Sequence, residues 1–334
     1  MNPRGPVVAE DLWVSSHGFF RVWVVHLGRR AGLVQVLDAS PQPLSPARLA
    51  NRTGADPSAV ATWCEAAHAL GLLERARGAY RIPAALRPIL ADEKDPRYLA
   101  GQFSYLALRS LDYGGFDDLF RGRARTRPSA HLVEATREAT TWDHTAFLEI
   151  ALREWPGIRA SLRAGARVLD VGSGSGEWIL RLARQFPRAS FVGVEPDLRA
   201  LRAARRRASG ARLAGRVRFE RGTVEGMAFR EEFDLVHLGE VLSALPAKVR
   251  ALRACRRALR RGGSVVLSEG LLDARANPRT PPNPLLLAIQ LDFALLGTRL
   301  LTRPEVFALL REAGFRRSSF LHAGGGLWFV RSWK

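Results

Sequence analysis

The 334-residue chain predicts an α/β fold: a doubly wound, mostly parallel seven-stranded sheet behind an N-terminal α-helical domain of winged-helix order. Three observations carry this. From residue 166 onward, short β-branched apolar runs alternate regularly with helical patterns. The first run, Val168-Leu-Asp-Val171, opens into Gly172-Ser-Gly-Ser-Gly176, glycines spaced by single residues, and a helix follows at once. Before residue 90 the order is helix, short helix, helix, hairpin.

Residues 18–36 show helical periodicity. Ser45 and Asp56 are placed to cap helices that carry Pro46 and Pro57 in their first turns, and Gly54 and Gly71 end them. Residues 72–82 read as two short strands around Gly78. Residues 84–160 read as helical, with Leu99, Phe103 and Leu106 at four-then-three spacing and a polar loop at 121–130. Strands follow at 166–171, 190–195, 216–220, 233–238 and 263–268, with helices at 177–186, 197–208 and 246–260. Pro278, Pro281, Pro282 and Pro284 mark a long loop before an apolar helix over 285–296. Thr302-Arg-Pro-Glu305 is a capping-box start. Two β patterns, 315–321 and 327–333, form a closing hairpin through Gly324-Gly-Gly326, which departs from the usual dinucleotide fold.

Composition bounds the function. A hydrophobic content of 47% supports a sizeable core, and no run approaches the ~18 apolar residues of a membrane span. Phe19–Leu27 is interrupted by Arg21 and His26 and lacks the flanks of a signal peptide, so a cytoplasmic protein without membrane association is expected. Cys64 and Cys255 form no metal spacing, and no metal is expected. The net charge of +19 raises nucleic-acid binding. Of the 51 basic residues, however, all but Lys94, Lys248 and Lys334 are arginine, and many sit on outer helix faces. The helix that would enter a major groove, Pro57–Leu70, offers Ser58, Thr62, Glu65 and His68 but no arginine. The winged helix therefore reads as a dimer scaffold, and nucleic acid as an unfavoured partner.

The glycine turn selects a ligand class. Dinucleotide sites use G-x-G-x-x-G to seat a pyrophosphate on a helix N-terminus. Here Glu177 stands where that pattern wants its third glycine, Asp170 precedes the first glycine, and Glu195 ends the next strand. Acids around the turn suit a ligand with a positive end and no phosphate. S-adenosyl-L-methionine fits that description better than NAD, with Glu195 placed for the ribose hydroxyls.

Together these residues resemble the class I S-adenosylmethionine-dependent methyltransferases. With the N-terminal helices they resemble the dimeric small-molecule O-methyltransferases, over residues 18–334. The resemblance implies a homodimerising domain over 1–90, a helical linker over 91–160 that contributes to the substrate pocket, and a cofactor-binding domain over 161–334. It places Asp170, Gly172, Ser173, Gly174 and Gly176 at the methionine end of the cofactor, and Glu195 at the ribose. Thr223 and Val224 fall at the adenine, where the family usually has an acid in place of Thr223. Pro196 and Gly239 are further cofactor positions.

Catalysis departs from the family. Ser243 stands where a histidine base is usual and Ala244 replaces its acid, whereas Glu269 matches. His144, His237, Glu240 and Glu269 are the candidate replacements. An acceptor that is already nucleophilic needs none. Phe103, Tyr105, Tyr113, Trp142, Phe147 and the apolar helix are candidates for an apolar pocket, with Gln290 and Asp292 facing the acceptor. The expected function is methyl transfer to a small aromatic or apolar acceptor, most simply at oxygen. The alternatives are a nucleic-acid methyltransferase or winged-helix regulator, and a cofactor-binding protein without catalysis.

Overall fold

The computed structural model describes residues 9–123, 129–213, 215–273 and 275–334. The chain divides into two compact units, residues 1–114 with 128–145, and 115–127 with 146–334. Residues 124–128 of the polar loop expected at 121–130 lie outside the described residues.

The first unit opens with α1 (Ala9–Arg30), α2 (Leu33–Asp38), α3 (Pro46–Thr53), α4 (Pro57–Ala69), β1 (Glu74–Ala76), β2 (Ala79–Arg81), α5 (Arg87–Leu90) and α6 (Ala100–Ser110). The single helix expected over 18–36 is two, because the chain turns at Ala31-Gly32. Ser45 and Asp56 cap α3 and α4 as their positions predict, accepting from the backbone N–H of Arg48 and Ala59. The Trp63 indole N–H donates to the Val24 carbonyl at 2.8 Å, joining α4 to α1. This approach needs Gly28, where a Cβ would lie 2.3 Å from the Trp63 ring. Leu49, Cys64, Ala67, Tyr80 and Tyr98 form the core of this unit.

α7 (Phe116–Phe120) belongs to the second unit and α8 (Ala130–Ala146) largely to the first. The second unit continues through a π-turn at Phe147–Ala151, α9 (Leu152–Glu154), α10 (Pro156–Ala164) and β3 (Arg167–Val171). Then come α11 (Glu177–Gln185), β4 (Ser190–Glu195), α12 (Leu198–Gly210), β5 (Val217–Arg221) and β6 (Phe233–Gly239). It closes with α13 (Lys248–Ala258), β7 (Leu259–Leu272), α14 (Asn283–Leu295), β8 (Leu301–Thr302), α15 (Arg303–Glu312), β9 (Arg317–Gly324) and β10 (Leu327–Trp333).

The sheet order is β5-β4-β3-β6-β7-β10-β9. β3 to β7 run parallel, and β10 is antiparallel to both of its neighbours. Leu169, Val171, Val192, Val194, Val236, Leu238, Val265 and Leu267 are all buried, as continuous apolar strands covered on both faces must be. Two details exceed the sequence reading. β8 adds a short eighth strand beside the end of β7. β7 extends well past 263–268, because Leu259 pairs with Phe233 ahead of an irregular register, although Arg260-Arg-Gly-Gly263 reads locally as a turn. The capping box at Thr302 forms: its Oγ1 accepts from Glu305 N, and the Glu305 carboxylate accepts from Thr302 N at 2.8 Å. Among the described residues, no helix is long and apolar enough to cross a membrane.

Candidate functional site

β3 pairs with β4 on one side and β6 on the other, so chain order reverses between β3 and β6. In open α/β sheets the crevice past the strand ends at such a reversal is where ligands bind. The glycine turn follows β3, Glu195 ends β4, Thr223 follows β5, Glu240 follows β6, and Glu269 lies near the end of β7.

All three glycines of the turn have positive φ, but they serve different ends. A Cβ on Gly172 would strike Val241 at 2.5 Å, and one on Gly176 would strike Phe219 at 2.5 Å. A Cβ on Gly174 would meet nothing within 4 Å. Two glycines thus seat the turn against its neighbours, and the middle one faces open space. The N–H groups of Gly172 and Ser173 donate to the Val194 carbonyl at 2.9 and 3.1 Å, pinning the turn to β4. The Ser173 hydroxyl and the Trp178 indole N–H are buried with no hydrogen-bond partner among the described residues.

Glu195 reaches back under the turn. Its Oε2 accepts from Gly174 N at 2.8 Å and its Oε1 from Asp197 N at 2.9 Å. Burial pushes its carboxyl up, and these two N–H groups pull it down. Each carboxylate oxygen retains a second lone pair for a hydroxyl donor. Pro196 is exposed, and Asp197 caps α12 through Ala200 N. Thr223 is exposed ahead of the short turn Val224–Gly226, whereas Val224 is buried in the core.

Asp170 and His237 form a buried pair. The residues are register partners on β3 and β6. Nδ1 of His237 lies 2.8 Å from Asp170 Oδ1, and Nε2 lies 3.0 Å from Ser268 Oγ. The Trp178 ring stacks on the imidazole at 3.9 Å, with Phe147 edge-on to both rings. Burial raises the Asp170 carboxyl above its ordinary value, and the bond to His237 opposes that rise. A Cβ on Gly239 would lie 2.9 Å from the same imidazole. Ser268 and Trp178 were not singled out in the sequence. Strand register alone does not point to Ser268: Asp170 is the partner of His237, but Val266 stands opposite His237 on β7, and Ser268 is paired with Gly239, two residues farther along β6.

Glu269 is fully buried. Its Oε1 accepts from the N–H groups of Val241 (3.0 Å) and Leu242 (2.6 Å), and its Oε2 from the Ser243 hydroxyl at 2.8 Å. Burial pushes its carboxyl up, against these donors. Glu240 is only half-buried and sits at φ 54°, a left-handed backbone that non-glycine residues seldom adopt. Its N–H donates to Ser268 O at 2.8 Å, and its Oε1 accepts from Gly270 N at 3.0 Å.

His144 lies in the last turn of α8 and belongs, with Phe103, Tyr105, Tyr113 and Trp142, to the first unit. Phe147 is fully buried in the second unit. In α14, Asp292 is buried and Gln290 accepts from Leu300 N at 2.9 Å, which fixes the approach to β8. In a strongly basic chain, the strand ends thus gather Asp170, Glu195, Glu240 and Glu269. That electrostatic setting favours a cation and disfavours phosphate.

The sequence profile described as a methyltransferase domain matches residues 168–263. This chain carries a methyltransferase domain. The matched span runs from the first residues of β3 into the start of β7 and includes the glycine turn, β4, β5 and β6, while Glu269 lies beyond it. The 3-hydroxy-5-methyl-1-naphthoate 3-O-methyltransferase of Streptomyces sahachiroi is 26% identical over 324 residues, covering 92% of this chain and 89% of that protein. The demethylmenaquinone methyltransferase of Lactiplantibacillus plantarum is 32% identical over 110 residues, covering 32% of this chain and 46% of that protein. This chain therefore spans less than half of the latter relative. The crystal structure of human N-acetylserotonin methyltransferase in complex with SAM superposes with a TM-score of 0.74 at 19% identity, covering 100% of this chain and 99% of that one. That likeness is one of fold, and it extends beyond the methyltransferase domain to the N-terminal helices.

Proposed function

We propose that the protein is an S-adenosyl-L-methionine-dependent methyltransferase acting on a hydroxyl oxygen of a small aromatic or apolar molecule. The observation that carries this reading is the glycine turn tied to Glu195 through Gly174 N at the sheet's reversal point. The naphthoate O-methyltransferase, similar across 92% of the chain, supports a small aromatic hydroxyl acceptor.

The residues present fit the cofactor. The open face at Gly174 admits close backbone approach, and the buried Ser173 hydroxyl lacks a partner among the described residues. Glu195 accepts the ribose hydroxyls, Thr223 and Val224 flank the adenine, and Asp170 balances the ammonium charge. When bound, the cofactor supplies a methyl group on a sulfonium, a good leaving group, so orientation of the acceptor contributes much of the rate.

Ser243 and Glu269 are turned on each other and hold the strand-end turn. Glu240, half-buried on a strained backbone at the crevice, is the carboxylate placed to take the acceptor proton. The Ser243–Glu269 pair leaves the turn without its own base, which favours acceptors whose hydroxyl ionises readily.

The first unit is read as a winged-helix dimerisation domain in a cytoplasmic homodimer. α1 supports a second copy as partner: Leu12, Trp13, Val14, Phe19 and Phe20 are exposed, Trp13 by 75%.

Purified protein should release S-adenosylhomocysteine from S-adenosylmethionine with at least one member of an aromatic-hydroxyl panel. S-adenosylhomocysteine, and not NADH, should raise its melting temperature. No turnover across hydroxyl, amine and thiol panels, with heat stabilisation by NADH alone, would overturn the reading.

A further inference from the structure

His237 occupies an unusual position for an ionisable side chain. It lies mid-sheet on β6, 3% exposed, between an indole face and the edge of the Phe147 ring, yet both ring nitrogens are used. Packing alone would be served as well by a phenyl ring, which stacks on indole without a polar group to satisfy. The polar atoms need another account. They form one chain: Asp170 Oδ1, His237 Nδ1, His237 Nε2, Ser268 Oγ. With the carboxylate ionised, Nδ1–H donates to it and the neutral ring accepts the Ser268 hydroxyl at Nε2. Ser268 thereby fixes the tautomer that Asp170 requires. The stacked Trp178 fixes the ring plane, and Phe147 packs edge-on against both rings.

We propose that His237 is a positioning residue for the cofactor's amino-acid end, holding the Asp170 carboxylate as an oriented anion beneath the glycine turn. The inference rests on the reading of the site as an S-adenosylmethionine site. Its physical basis is desolvation: an acid buried this deeply drifts toward its neutral form, which cannot balance an ammonium. The N–H of His237 favours the charged form and aims it. The Asp170 charge is felt on the neighbouring strand, where it adds to the burial that raises the Glu195 carboxyl.

The test separates this role from simple packing by comparing two ligands. S-adenosylhomocysteine carries the amino-acid end, and 5′-methylthioadenosine lacks it while sharing the adenosine. Calorimetry on His237→Phe should show S-adenosylhomocysteine weakened by about tenfold or more, with 5′-methylthioadenosine held within about twofold of wild type. His237→Asn places an amide N–H near the Nδ1 position and should restore S-adenosylhomocysteine binding to within about threefold. His237→Gln, whose N–H falls near Nε2 instead, should not. The Asn–Gln contrast decides the matter if the Phe variant does not fold.

Equal loss of both ligands in the Phe variant, or equal behaviour of Asn and Gln, would reduce His237 to a packing residue and overturn the inference. Wild-type affinity for both ligands in the Phe variant would overturn it too, leaving the cofactor reading intact. Wild-type protein that binds neither ligand would remove the cofactor reading and this inference together.

Discussion

Ser243 donates its hydroxyl to Glu269 Oε2 at 2.8 Å, inside a strand-end turn that Glu269 also holds through the N–H groups of Val241 and Leu242. A single fully buried carboxylate therefore organises three consecutive residues after β6. Thr298 adds a fourth tie, from its hydroxyl to the Ser243 carbonyl at 2.7 Å. The position that resembles a catalytic base in the O-methyltransferases is here a clamp.

Replacing Ser243 with Ala removes one donor from a buried acid whose ionised form already suffers from burial. The loss of a charge-assisted bond to a buried group costs about 1–3 kcal/mol. In a unit of this size that is a fall of roughly 2–4 °C in melting temperature for each kcal/mol. Turnover measured well below the transition should change little. A variant with wild-type melting and lost turnover would instead give Ser243 a chemical role.

The glycine turn makes a contrast. Valine at 174 faces open space but must adopt φ near +53°, a strain of about 1–2 kcal/mol, so the protein should fold. Its side chain then fills the volume a ligand needs, and S-adenosylhomocysteine binding should be lost. Valine at 172 collides with Val241 and should compromise folding itself. Circular dichroism with calorimetry distinguishes the two. Normal binding by a folded Gly174→Val protein would contradict the assignment of the turn.

Glu195 accepts from Gly174 N and Asp197 N, which leaves a lone pair on each carboxylate oxygen. Glu195→Ala should weaken S-adenosylhomocysteine by about 10- to 100-fold, the worth of charge-assisted acceptor bonds. Glu195→Gln keeps one acceptor oxygen and should lose less. Equal affinities for wild type, Gln and Ala in calorimetry would refute the ribose role.

Acid should loosen the segment that leads into α15. The Arg299 guanidinium, one contact at 3.1 Å, holds the Glu305 carboxyl at about 2, below its ordinary 4.5, with help from the Thr302 cap. A depressed carboxyl stabilises the folded state above its unfolded value and loses that effect as pH falls. The contribution is therefore complete above about pH 4.5 and disappears toward pH 2. Wild type should exceed Glu305→Gln in melting temperature at pH 7, and the gap should narrow at pH 3. A gap that is constant with pH would show that the carboxylate charge is not what stabilises the cap.

Local chemistry made much of the fold legible. Ser45, Asp56 and Thr302 announce helix starts through short-range hydrogen bonds that any solvent-facing chain would make. The apolar runs of β3, β4 and β6 announce buried parallel strands. The extension of β7 and the short β8 were not legible, because partners far along the chain impose them on sequences that read locally as turn or coil. The same holds at the site. Glu195 and the glycines follow from one βαβ unit. The joining of Asp170 to His237 and Ser268, and of Ser243 to Glu269, depends on register between strands separated by long stretches of sequence.

Glu240 provides the sharpest chemical test. It is half-buried, its backbone is held in a left-handed conformation by the bond from its N–H to Ser268 O, and its carboxylate rests on Gly270 N. A strained residue at a strand end beside a ligand crevice is costly to maintain without a role. If its carboxylate accepts the hydroxyl proton, Glu240→Gln should lower kcat for an un-ionised phenol by about 10²-fold or more. The same variant should barely affect an acceptor whose hydroxyl is already ionised at the assay pH, since that acceptor has no proton to give. Product formation with a matched pair, a simple phenol and its nitro-substituted analogue, reads the difference directly. An equal fall for both would make Glu240 a residue that shapes the crevice, and no fall for either would leave the acceptor to ionise without help from the protein.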